Sequence, residues 1–129
     1  EVASGKKEKI IINGEDYDTR DGSTVRDFIH VSDLAEIHIN VAEYLKNGGS
    51  SEIYNCGYGQ GYSVKEVVAE MEKIINRKLK VEIGPRRESD IPYSVANSDK
   101  FKKKFNWKPK YNNLNYILKT ALNWEKLFK

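Results

Sequence analysis

The sequence predicts an α/β (α+β) fold, a small mixed sheet with about four helices. Two observations carry that reading. Short β-branched or aromatic runs alternate along the chain with longer segments whose apolar residues recur every three or four positions. The junctions between them carry Gly, Asn, Ser or Pro turn chemistry. At 129 residues, 39% hydrophobic and 32% charged, this is one domain's worth of chain, long enough to bury a core of its own.

Ile10-Ile11-Ile12 is a β-branched run stopped by Asn13-Gly14, which suits a buried strand entering a turn. Glu15 to Gly22 is polar and turn-rich, and Val25, Phe28, Ile29 and Val31 form a second extended segment. Asp33 is placed to cap a helix carrying Leu34, Ile37, Val41, Ala42 and Leu45, with Glu36 in position for the reciprocal contact. Asn47-Gly48-Gly49 ends that helix. Ile53-Tyr54-Asn55-Cys56 reads as another strand. Ser63 and Glu66 then make a capping box ahead of Val64, Val67, Val68, Met71, Ile74 and Ile75. After the break at Asn76-Arg77, a strand is expected from Leu79 to Ile83. Ser98 is placed to cap a short basic helix to about Phe105, and Trp107-Lys108-Pro109 turns the chain. The last helix puts Leu114, Ile117, Leu118, Ala121 and Leu122 on one face, with Trp124, Leu127 and Phe128 expected to dock its end.

The net charge is +3, and lysines gather at Lys6 to Lys9, Lys100 to Lys104 and Lys108 to Lys110. They lie on a predicted helix and its flanks without the interleaved aromatics of a nucleic-acid face, so they are read as solvated surface and no nucleic-acid partner is expected. No apolar run approaches the roughly 18 to 20 residues that span a bilayer, and no signal segment opens the chain, so no membrane partner and a cytoplasmic location are expected. The single cysteine, Cys56, sits in an apolar pattern and reads as a buried, inert thiol. His30, Asp33 and His38 lack a further Cys or His to complete a metal set and read as structural, so no metal is expected.

Two stretches carry chemistry. In Asp21-Gly22-Ser23-Thr24-Val25-Arg26-Asp27-Phe28-Ile29-His30-Val31 and in Gly84-Pro85-Arg86-Arg87-Glu88-Ser89-Asp90, arginine and aspartate meet at the edge of a predicted strand. Guanidinium forks grip phosphate oxygens and a carboxylate accepts hydroxyl protons, which suits a phosphorylated sugar. From spacing alone, Arg26 is equally compatible with a structural ion pair. Gly57-x-Gly59-x-Gly61 lacks the dinucleotide-binding spacing and reads as a plain strand-to-helix turn.

With Ile12-Asn13-Gly14-Glu15-Asp16-Tyr17 upstream and Val31-Ser32-Asp33-Leu34-Ala35 downstream, these stretches resemble the UDP-glucose 4-epimerase family of extended short-chain dehydrogenases. The resemblance runs nearly end to end, but only over that family's C-terminal, substrate-binding part. It implies that residues 1–129 are a C-terminal UDP-sugar-binding domain whose NAD-binding Rossmann domain is absent, since neither the Gly-rich opening nor a Tyr-x-x-x-Lys pair occurs here. No catalytic, cofactor-binding or metal-binding residue is therefore assigned to this chain, and a start at Glu1 without Met reads as a fragment inactive alone.

For the parent, the resemblance implies an NAD-dependent UDP-hexose 4-epimerase of galactose metabolism, expected as a homodimer, acting through a 4-keto sugar. It puts Arg26 and Arg87 on the substrate diphosphate, Asp90 on the ribose hydroxyls, and Ile11 and Asn13 at the uracil. Phe28 is counted with these substrate-binding residues and stands where Tyr is common, Asn13 where Phe is often found, and Ser89 where the family's loop has Gly. Ser94 falls beside the sugar's C2 substituent, and its small size implies that N-acetylhexosamines are accepted too. The alternatives are a dehydratase, decarboxylase or reductase of the same superfamily, or a stand-alone UDP-binding module.

Overall fold

Backbone pairing divides the strands of the computed structural model, which describes residues 1–128, between two small sheets. Strand β1 (Ile10–Asn13) pairs in parallel with β4 (Val81–Gly84), with Ile12 opposite Ile83. In the second, mixed sheet β2 (Val25–Asp27) lies between β3 (Gly61–Ser63) and β5 (Tyr93–Ser94), antiparallel to the former and parallel to the latter. Four helices are described: α1 (Val31–Lys46), α2 (Val64–Ile75), α3 (Asp99–Phe105) and α4 (Leu114–Leu127).

The core forms where α1 and α3 close on the glycine-rich turn. Ile37, Tyr58, Phe101 and Trp107 are its buried members, with Tyr54, Cys56 and Phe105 packed against them. Helix α2 has the expected capping box: Ser63 Oγ accepts from the Glu66 amide at 3.0 Å while Glu66 accepts from the Ser63 amide at 2.8 Å. It ends at Asn76, which adopts the left-handed conformation (φ 50°) that Asn tolerates best after Gly. Helix α2 packs on α4, and Asn115 donates to Glu70 at 2.7 Å across that contact.

Four expectations need correction. Helix α1 is capped by His30, whose Nδ1 accepts the Ser32 amide at 3.1 Å, and not by Asp33. Asp33 is drawn inward instead: fully buried, it accepts from the Tyr58 hydroxyl (2.5 Å) and from the amides of Lys110 (3.1 Å) and Tyr111 (3.0 Å). That carboxylate ties three segments together, which is worth more than one helix cap. Glu36 correspondingly pairs with Lys110 at 2.8 Å.

The segment Ile53–Cys56 is not a strand. Its Ile53 carbonyl accepts from Lys100 at 3.1 Å and its Tyr54 ring packs edge-on against Phe101 and Phe105, so α3 takes the place of a partner strand. Ser98 precedes α3 without capping it, because its hydroxyl donates to the Gly57 carbonyl at 2.8 Å. Trp124, Leu127 and Phe128 do not dock; they are 63%, 73% and 51% exposed, with Trp124 edge-on to Phe128.

Candidate functional site

Arg26 leaves the central strand of the mixed sheet, opposite Ser94 in the β2–β5 ladder. Its Nη1 donates to the carbonyls of Val25 (2.8 Å) and Ile91 (3.0 Å), which fixes the plane of the guanidinium. Nη2 lies 3.6 Å from Asp90 Oδ1, with both side chains about a quarter exposed at 29% and 25%. Both of the readings that spacing left open for Arg26 are thus represented: it has a carboxylate partner, and its Nη2 and Nε are not tied to any carbonyl among the described residues.

The second arginine lies in the loop after β4 that leads to Asp90. The Asp90 amide donates to the Arg87 carbonyl at 3.1 Å, so Arg87 and Asp90 stand at the two ends of one turn. Arg87 meets Asn13 at the end of β1. The hydrogen-bonding network orients the Asn13 amide with its oxygen toward the guanidinium, where it accepts from Nη2 at 3.0 Å and Nε at 3.2 Å. A chain of contacts Arg26–Asp90–Arg87–Asn13 therefore links segments far apart in sequence.

Arg86 faces the other way. It donates through Nε to Asp16 Oδ1 at 2.6 Å, bonds the Asp16 carbonyl through Nη2, and lies over the Tyr17 ring at 4.3 Å. Gly14 makes this approach possible, since a Cβ there would lie 2.6 Å from Arg86 Cγ, and its φ of 83° also favours glycine. The neighbouring arginines of the Gly84–Asp90 loop thus divide into a clamp, Arg86, and a hand, Arg87.

Ile11 is 53% exposed. Ile12, Val81 and Ile83 line a crevice together with Val68 and Ala69 of α2, so alternation turns Ile11 and Asn13 to the opposite face of the β1–β4 sheet. Gly84, beside Asn13, leaves that face low: a Cβ on it would lie 2.9 Å from Ile11. Ser94 is exposed and lines a cleft of about 560 Å³ with Arg26, Asp27, Tyr54, Asn55 and Cys56. Burial pushes the Cys56 thiol up from its ordinary value, which favours the protonated form. Phe28 is half-buried and does not line that cleft.

Asp27 is the residue that sequence reasoning passed over. Its carboxylate accepts from the amides of Tyr58 (3.1 Å), Gly59 (2.9 Å) and Ala96 (3.3 Å), tying the glycine-rich turn to the end of β5. Gly57 is required there, because a Cβ would come within 2.5 Å of Asp27 Oδ2. The signal was an aspartate next to Arg26 together with three glycines that no phosphate claimed. Two amides of that turn are thereby taken, and the charge that takes them is negative, which works against a phosphate at this point.

The histidines are committed as well. His30 Nε2 faces Thr120 Oγ1 at 3.0 Å, and His38 Nδ1 bonds the Leu34 carbonyl at 2.7 Å. A larger groove, lined by Ile29, Val31, Ile117, Ala121 and Trp124, is mostly apolar and shares no lining residue with the arginine edge.

The sequence profile of the NAD dependent epimerase/dehydratase family matches residues 1–57. Over nearly its whole length the chain is similar to UDP-glucose 4-epimerases. It is 42% identical over 122 residues to the Azospirillum brasilense UDP-glucose 4-epimerase, covering 95% of this chain and 35% of that one. The Campylobacter jejuni UDP-Glc/GlcNAc 4-epimerase superposes with a TM-score of 0.86 at 44% identity, over 98% of this chain and 38% of that one. The Bifidobacterium longum UDP-glucose 4-epimerase, solved with NAD+ and UDP, gives 0.88 at 36%, over 98% and 37%. The chain thus spans a little over a third of the length of these relatives.

Proposed function

We propose that this chain is the UDP-sugar-binding, C-terminal part of an NAD-dependent UDP-hexose 4-epimerase. The observation that carries the reading is the Arg26–Asp90 pair with guanidinium donors unspent, one turn from Arg87, in a chain this similar to UDP-glucose 4-epimerases. Arg26 and Arg87 would hold the diphosphate, since two fixed guanidinium planes grip several phosphate oxygens at once. Asp90 would accept the ribose hydroxyls, and the Ile11–Gly84 shelf would lie against the base. Phe28, counted with the substrate-binding residues, is half-buried and outside the cleft that Arg26 and Ser94 line.

Holding the nucleotide while the sugar stays free is what C4 inversion requires, because the hexose must present both faces to one hydride donor. Binding energy at the remote UDP then permits movement at the reacting carbon. NAD, when bound, would supply the hydride acceptor, and holding it would fall to the rest of the parent. The parent would act in the cytoplasm in galactose metabolism, as a homodimer. No helix of the described residues is long and apolar enough to cross a membrane.

Ser94 supports an extension to N-acetylhexosamines. It is small, exposed and in the cleft beside Arg26, and the C. jejuni relative is described as a UDP-Glc/GlcNAc 4-epimerase. The test is to incubate the native gene product with UDP-galactose and with UDP-N-acetylgalactosamine, without added reductant. Return of the corresponding gluco-sugars is expected; a dehydrated, decarboxylated or unchanged sugar would overturn the proposal.

A further inference from the structure

We infer that Asn13 is a positioning residue for Arg87, and that its main contribution is to the phosphate end of the ligand and not to the base. The inference rests on the UDP-binding reading above. Asn13 ends β1 on the open face of the β1–β4 sheet, opposite Gly84 in the parallel ladder. Its amide oxygen accepts from both Nη2 and Nε of Arg87, at 3.0 and 3.2 Å. Two bonds to one acceptor fix the guanidinium in rotation as well as in place. A long side chain that would otherwise lose rotamer freedom on meeting an anion is thus ordered beforehand.

Two further features fit this role. An amide oxygen is a neutral acceptor, so it orients the guanidinium without cancelling the charge a phosphate needs; an aspartate at the same place would cancel it. The loop that carries Arg87 is also anchored on the same turn as Asn13. Gly14 donates to the Gly84 carbonyl at 2.9 Å, and Arg86 grips Asp16 at 2.6 Å. Both partners of the tether therefore sit on backbone held together independently of the tether itself. Loss of the Asn13 amide should free the Arg87 head without moving the loop.

The test is calorimetric titration of the native gene product with UDP and, separately, with uridine. Asn13→Ala is expected to weaken UDP binding by roughly fivefold to tenfold while leaving uridine within about twofold, as the loss of two modest hydrogen bonds predicts. Asn13→Asp, nearly isosteric, is expected to weaken UDP at least as much, through charge cancellation. In the Arg87→Ala background, Asn13→Ala should add almost nothing, because the two act as a unit. Equal losses for UDP and uridine would make Asn13 a base contact and overturn the inference, as would full additivity with Arg87→Ala. If wild type binds UDP and Arg87→Ala weakens it while Asn13→Ala does not, the tether alone fails. If wild type binds neither ligand, the UDP-binding reading fails with it.

Discussion

Two carboxylates show how differently the two ends of this molecule use charge. Asp33 lies at 0% exposure among three donors, from Tyr58, Lys110 and Tyr111. Burial, reinforced by the bond to Asp33, drives the Tyr58 hydroxyl far above its ordinary pKa, so it remains a donor at any working pH. Asp90 lies about a quarter exposed, 3.6 Å from one arginine and one turn away from another. A buried polar network is stabilising only when every member is partnered, and that of Asp33 is. A polar edge with donors to spare has no such closure, and its unspent donors are free to meet an anion.

Breaking the core end should give the largest effects. Phe101 is fully buried and stacked on Phe105 at 4.6 Å, so Phe101→Ala should cost about 4 kcal/mol in urea unfolding. Asp33→Ala leaves a buried hydroxyl and two amides without their acceptor, and should cost roughly 3 kcal/mol by the same measurement. Neither should alter UDP affinity per folded molecule. A specific loss of affinity from Asp33→Ala would erase the distinction between the two ends.

At the other end the order reverses. Arg87→Ala is expected to reduce UDP affinity by about a hundredfold, with the unfolding midpoint shifted by less than about 0.5 kcal/mol, as for an exposed site away from the core. The smallest effect concerns pH. Burial opposes ionisation of Asp21, but hydrogen bonds from Ser63 and Ser23 outweigh it and hold its carboxyl below the usual range. A depressed folded-state pKa contributes stability that is present above the unfolded value near 3.8 and lost as pH falls below it. Wild type should therefore lose slightly more stability between pH 5 and 3 than Asp21→Asn, read from urea midpoints.

Local chemistry was legible in the sequence and three-dimensional competition was not. The Ser63–Glu66 capping box needs only neighbours, and it forms as expected. Asp33 and Ser98 also look like caps, yet each is claimed by a partner distant in sequence. Ile53–Cys56 has strand composition, but strand formation requires an edge to pair with, and Tyr54 finds the aromatic face of α3 instead. The Trp124 end of α4 keeps its apolar character without a surface to cover it among the described residues.

The site divides in the same way. Arg26, Arg87 and Asp90 were marked by their motifs; the fold pairs Arg26 with Asp90, and Arg87 stands one turn before that aspartate. What spacing did not reveal is the support beneath them. Asp27 fastens the glycine turn, Arg86 clamps the loop, and Asn13 receives the Arg87 head.

The most direct measurement is a UDP titration of the native gene product beside its Arg87→Ala variant, with both unfolding curves recorded. Wild type should bind UDP, and the variant should bind about a hundredfold more weakly at an unchanged midpoint. Equal affinity in the two proteins would contradict the assignment of this edge to the diphosphate.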